Sequence, residues 1–109
     1  QQVTAPAAST NADLADLRIG GLTLSPAFSA ATTTGYTAST AHATNTVTAV
    51  PANAKATVEI TNEDAEEQTA TILNGRAVTW GTGENTLTVK VTAENGTTTK
   101  SYVVTVTKS

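Results

Sequence analysis

Residues 86–107 read TLTVKVTAENGTTTKSYVVTVT, and the patterning of this stretch decides the fold. Leu87, Val89 and Val91 alternate with Thr86, Thr88, Lys90 and Thr92, while Tyr102, Val104 and Val106 alternate with Val103, Thr105 and Thr107. A period of two sends successive side chains to opposite faces of a strand, so each run buries one face and turns the other to water. Between the runs lies Glu94-Asn95-Gly96-Thr97. It signals a tight turn, because glycine tolerates positive φ without a steric cost. The two runs are expected to be adjacent antiparallel strands. Leu87, Val89, Val91, Tyr102, Val104 and Val106 should point inward, with Phe28 and Trp80 covering them.

Composition carries the same message across the chain. Its 109 residues suit one domain and leave no room for a second core. They include 25 Thr and 19 Ala, and β-branched Thr in such excess favours a half-exposed pleated surface over helix. With 14% charged residues the chain is neither a coiled coil nor a charge-driven disordered tail. A net charge of -3 with six scattered basic residues gives no patch for nucleic acid or an anionic membrane. The absence of Cys removes disulfides, thiolate metal ligands and a cysteine nucleophile, and leaves the compartment open. The absence of Met leads us to expect a processed form or a part of a longer protein. No apolar run approaches the roughly 20 residues of a membrane-spanning helix, so no membrane insertion is expected.

Toward the N-terminus the signals are shorter. Residues 69–80 are apolar-patterned around an Asn74-Gly75 turn, and 62–68 (NEDAEEQ) read as an acidic loop. Short strands are expected at 36–40, at 45–50 up to Pro51, and at 54–61, the last with Val58 and Ile60 alternating against Thr57 and Glu59. Leu14, Leu17, Ile19, Leu22 and Leu24 suggest an initial edge strand in two pieces joined at Gly20-Gly21. Residues 1–12 (QQVTAPAASTNA) hold a single large apolar residue, Val3, and read as a flexible linker ahead of a domain spanning 13–109. About seven short strands with turns roughly every 8 to 12 residues make an all-β, Greek-key β-sandwich the expected fold.

Three motifs in order carry a family resemblance. Leu24-Ser25-Pro26-Ala27-Phe28-Ser29 is followed by Tyr36-Thr37-Ala38-Ser39, Gly83-Glu84-Asn85 precedes a strand, and residues 91–107 form the closing hairpin; Leu14 and Leu17 supply an opening Leu-x-x-Leu pair. Over 13–109 the chain resembles the cadherin-like β-sandwich domain of bacterial proteins. It departs from the family pattern between Ala41 and Ala77, where Asn62-Glu63-Asp64 replaces an Asn-Gly and the strand beginning at Tyr36 ends on Thr40. The resemblance implies an immunoglobulin-like fold used as an accessory module in secreted or cell-surface bacterial proteins, often beside catalytic or carbohydrate-binding domains. It implies no activity. Phage virion proteins also carry immunoglobulin-like domains as surface decorations, and the Thr- and Ala-rich composition suits that setting equally.

Each residue with chemical potential has a plainer role beside it. His42, the only histidine, lies in a polar stretch without the converging partners of a metal site or triad, so an exposed loop position is expected. Glu63, Asp64, Glu66 and Glu67 offer carboxylates to Ca²⁺, but the segment lacks the EF-hand spacing and its glycine, and a solvated acidic loop is expected. Trp80, Tyr36 and Tyr102 could stack on a sugar ring, yet large aromatics in a core with so few of them are expected to be buried. Trp80 and Tyr36 remain the candidate ligand contacts. Asn95-Gly96-Thr97 fits the glycosylation sequon but sits where a hairpin needs its turn. Lys90 and Lys100 could form an amide cross-link with Asn85, as in some surface sandwiches, but alternation turns both lysines outward.

No nucleophile, base and orienter converge in this pattern, and neither a cofactor nor a metal is expected. The expected function is that of a non-catalytic spacer or presentation module in a larger secreted, cell-surface or phage virion protein. Its expected partners are the neighbouring domains of the same chain, and in isolation it should be a monomer. The competing expectation is a module that binds a polysaccharide or a surface protein.

Overall fold

A computed structural model describes residues 9–109, and they form eight strands. In chain order these are β1 (Leu14–Ile19), β2 (Tyr36–Thr40), β3 (Thr44–Pro51), β4 (Thr57–Glu63), β5 (Thr69–Ile72), β6 (Ala77–Thr79), β7 (Gly83–Thr92) and β8 (Thr99–Lys108). They build two sheets, ordered β1-β3-β6 and β2-β8-β7-β4-β5, packed face to face as an immunoglobulin-like sandwich. The last two strands pair antiparallel as their alternation predicts, with Leu87 opposite Val104 and Val89 opposite Tyr102. Their six inward side chains are fully buried. Across the gap they meet Leu14, Leu17, Ile19, Val47 and Val78 of the smaller sheet in one continuous core.

The pairing also fixes strand direction. In the larger sheet β2, β4 and β8 run one way and β5 and β7 the other, and in the smaller sheet β1 and β6 run against β3. The contacts of Asp13 and Leu14 with Lys100 and Tyr102 at one pole and of Thr40 with Asn45 at the other set β1 in the direction of β8. The described chain therefore comes in at the pole that holds the β7–β8 turn, where the Asn95 N–H donates to the Ser9 carbonyl at 3.2 Å. It leaves at the opposite pole, where the Ser109 N–H donates to the Thr40 carbonyl at 3.0 Å.

Several boundaries differ from the sequence expectation, each for a local reason. Structure begins before Asp13: Ala12 is buried, and the Ser9 N–H donates to Glu94 Oε1 at 2.9 Å. The first eight residues of the expected linker lie outside the described ones. β1 is a single piece that stops at Ile19, because Gly20 adopts φ +55 and donates its N–H to Thr46 O rather than continuing the strand. A Cβ at Gly20 would stand 2.7 Å from Asn45 Nδ2, so both conformation and space favour glycine there. Leu22 and Leu24 then pack against the core from irregular backbone. Pro51 is the last residue of β3, opposite Leu14, and ends the strand because it has no N–H to continue the ladder. β4 starts at Thr57, three residues later than expected, and runs on through Asn62 and Glu63 because both pair with β7. The acidic loop is correspondingly shorter.

β1 is an edge strand, and its outer side is closed by its own sequence. The register shifts between Leu14 and Asp16, and Asp16 turns back so that Oδ1 accepts the Leu17 N–H at 3.0 Å while Oδ2 holds Arg18 Nε at 2.8 Å. A bulge, a capped N–H and a charge pair are devices that stop an edge from recruiting further strands.

Candidate functional site

The aromatic residues named as ligand contacts lie in the interior. Tyr36 opens β2 as a fully buried side chain, and its hydroxyl is fully used. It accepts the Ser29 N–H at 2.9 Å and lies 2.8 Å and 2.7 Å from the Ser29 and Thr32 carbonyls. Tyr102 does the same one strand over, accepting the Leu14 N–H at 3.1 Å and donating to Ala30 O at 2.8 Å. Phe28, half-buried, stacks on Tyr36 with centroids 5.9 Å apart and leans on Tyr102 at 5.7 Å. These three rings fasten the loop between β1 and β2 onto the larger sheet. Phe28 covers this end of the core as expected.

Trp80 covers the other end. It follows β6, is 4% exposed, and donates its indole N–H to Asn45 Oδ1 at 2.7 Å. Asn45 Oδ1 also accepts the Thr40 hydroxyl at 3.2 Å, and Thr40 Oγ1 accepts the His42 N–H at 3.0 Å. The indole is thus buried with its one polar atom satisfied by a neighbour. His42 itself is exposed.

Beside Trp80 lies a polar knot in which Asn62 and Asn85, named separately in the sequence, meet. Asn85 is wholly buried at the start of β7 and uses both ends of its amide. Its Oδ1 accepts the Gly81 N–H at 3.0 Å and Asn62 Nδ2 at 3.3 Å, and its Nδ2 donates to the carbonyls of Gly81, Gly83 and Val106. Asn62 is 2% exposed, and its Oδ1 accepts no hydrogen bond among the described residues. The signal was present in the pattern: Asn62 shares the phase of Ile60, and Asn85 that of Leu87 and Val89, so alternation alone turns both amides inward.

Over this knot folds the acidic loop. Asp64 Oδ1 accepts the N–H groups of Glu66 and Gln68, each at 2.9 Å, so it serves its own turn. The Asp64 side chain also packs so tightly on Gly81 that a Cβ there would lie 2.8 Å from its own Cβ. Glu63, Glu66 and Glu67 are exposed. Among the described residues no three carboxylate, imidazole or thiol groups gather as a metal site would require, and no cavity opens.

The cross-link candidates are held apart. Lys90 is exposed on the outer face opposite Glu59, and Lys100 pairs with the Asp13 carboxylate. Asn85 stands opposite Val106, six residues along β8 from Lys100, which is about 20 Å of strand. The Asp13 partner raises the Lys100 ammonium above its usual range, the reverse of what amide formation by a free amine needs. Near the β7–β8 turn, the hydrogen bond from Ser9 holds Glu94 below the usual carboxylate range against the opposing effect of burial, with a smaller contribution from the charge of Lys55. Asn95 completes that turn, its Oδ1 accepting the Thr97 and Thr98 N–H groups at 2.9 Å.

Among the described residues, the polar groups that converge satisfy the chain's own backbone and one another. The family model for the cadherin-like beta sandwich domain matches residues 7–109, and no curated protein matches the chain. A two-sheet sandwich and a match over nearly the full length agree, and the chain belongs to the cadherin-like beta sandwich domain family.

Proposed function

We propose that this domain is a non-catalytic structural accessory module that holds neighbouring parts of a larger secreted, cell-surface or virion protein apart. The observation that carries this reading is geometric: the described chain comes in at one pole of the sandwich and leaves at the other, along strands up to ten residues long. Ten residues of strand span about 33 Å. The burial of Tyr36, Tyr102 and Trp80 with their polar atoms satisfied supports it further, since aromatic platforms for glycans need exposed rings. The outer face of the larger sheet sets Thr57 opposite Thr92, Thr61 opposite Thr88 and Thr86 opposite Thr105 around the Glu59–Lys90 pair, a polar surface suited to standing in solvent without recruiting other chains. The test is calorimetric titration of the domain against cell-wall and plant polysaccharides. No measurable heat of binding is expected. Binding abolished by Trp80→Ala in a still-folded protein would establish a carbohydrate-binding module instead.

A further inference from the structure

The way the two ends of the chain are fastened says how this domain responds to tension. β8, the last strand, is bonded along its ten residues to β7 on one edge and to the five residues of β2 on the other. The incoming chain is fastened to the start of β8 and its turn. Asp13 pairs with Lys100, the Leu14 N–H donates to the Tyr102 hydroxyl at 3.1 Å, and Ser9 exchanges hydrogen bonds with Glu94 and Asn95. At the far pole the end of β8 is fastened to Thr40 at the end of β2.

β1 and β8 run in the same direction, with the incoming chain at the start of one and the outgoing chain at the end of the other. A pull on both ends therefore drags β1 and β8 in opposite senses along their own axes. Ladder hydrogen bonds lie across that axis. β1 and β8 lie in different sheets, so the ladders loaded are those of β1 with β3 and of β8 with β7 and β2, and their bonds must yield together under such shear, whereas a pull that parts two strand ends breaks them in turn.

We infer that the domain is a tension-bearing link. β8 and β1 carry the pull of neighbouring parts as shear, and the clasp formed by Asp13, Leu14, Lys100 and Tyr102 is loaded first. This rests on the reading of the domain as a connecting module.

Single-molecule pulling of the whole 109-residue chain tests it, because the rupture force reports the unfolding barrier in the direction of pull. Tethering through the two ends should give a rupture force roughly twofold or more above that of the same chain tethered through T82C and S109C, which peels β8 from β7 bond by bond. Equal or lower force between the ends would overturn the inference. Lys100→Met combined with Tyr102→Phe should lower the end-to-end force and leave the peeling force unchanged. An unchanged end-to-end force would remove the clasp from the account. A polysaccharide ligand found by titration would overturn the connecting role without altering the force comparison, so the two failures are distinguishable.

Discussion

Tyr102 shows how much one side chain does here: its ring is fully buried between the sheets while its hydroxyl joins Leu14 of the smaller sheet's edge to Ala30 of the loop. Tyr102→Ala should cost about 3 kcal/mol or more in a denaturant titration, as removal of a core aromatic does. Tyr102→Phe, which keeps the ring and leaves the Leu14 N–H without its acceptor, should cost about 1–2 kcal/mol. A change near zero for the alanine variant would place the ring outside the core. Asn85 and Asn62 give a paired comparison. Replacing Asn85 by Ala strips partners from the Gly81 backbone and from Asn62, and should cost about 2–4 kcal/mol. Replacing Asn62 by Leu removes an amide whose oxygen has no partner among the described residues, so it should be the milder change. The reverse order would mean that the knot is organised around Asn62. The inward position of Tyr102 was legible from the alternation with Val104 and Val106. The bond from Trp80 to Asn45 was not, because a side-chain contact between residues 35 apart leaves no periodic trace.

Strands and turns were legible in proportion to how locally they are determined. β7, β8 and their turn follow from alternation and one Asn-Gly, and the register from Gly83–Lys108 to Thr92–Thr99 agrees. β4 was cut short at its far end because Asn62 and Glu63 look like loop residues. Their pairing with Leu87 and Thr86 is what makes them strand. At the incoming end, Glu94 should show its linkage to folding. Its carboxyl is held below the ordinary range, so its contribution is present above about pH 4.3 and is lost as the pH falls through the lowered value. The stability difference between the natural chain and Glu94→Gln should therefore be positive at neutral pH and shrink toward zero as the pH falls through the lowered value in pH-resolved melting curves. A difference that persists undiminished in acid would show that the Ser9 contact does not depend on the charge. The acidic loop makes a second test at this scale. Asp64 is committed to the Glu66 and Gln68 N–H groups, and millimolar calcium should leave the melting temperature unchanged. A rise that grows with calcium concentration and vanishes on neutralising Glu63 and Asp64 would reveal a cation site.

For the molecule as a whole, the sandwich and its two-faced strands were readable because half-buried sheets write a period of two into the sequence. Which strands neighbour one another was not. The parallel pairing of β2 with β8 joins residues nearly 70 positions apart, Tyr36 to Val104, and alternation is silent about partners. That pairing and the β1–β3 edge fix the property on which the functional reading depends, the separation of the two ends of the domain by the full length of the strands. Spin labels on T10C and S109C, introduced into a chain without other cysteines, measure it directly by pulsed dipolar spectroscopy. The account predicts one narrow distribution centred at about 33 Å or more, the length of β8. A centre below about 20 Å, or a broad distribution, would contradict it, because 33 Å of rigid strand would then not lie between the neighbours.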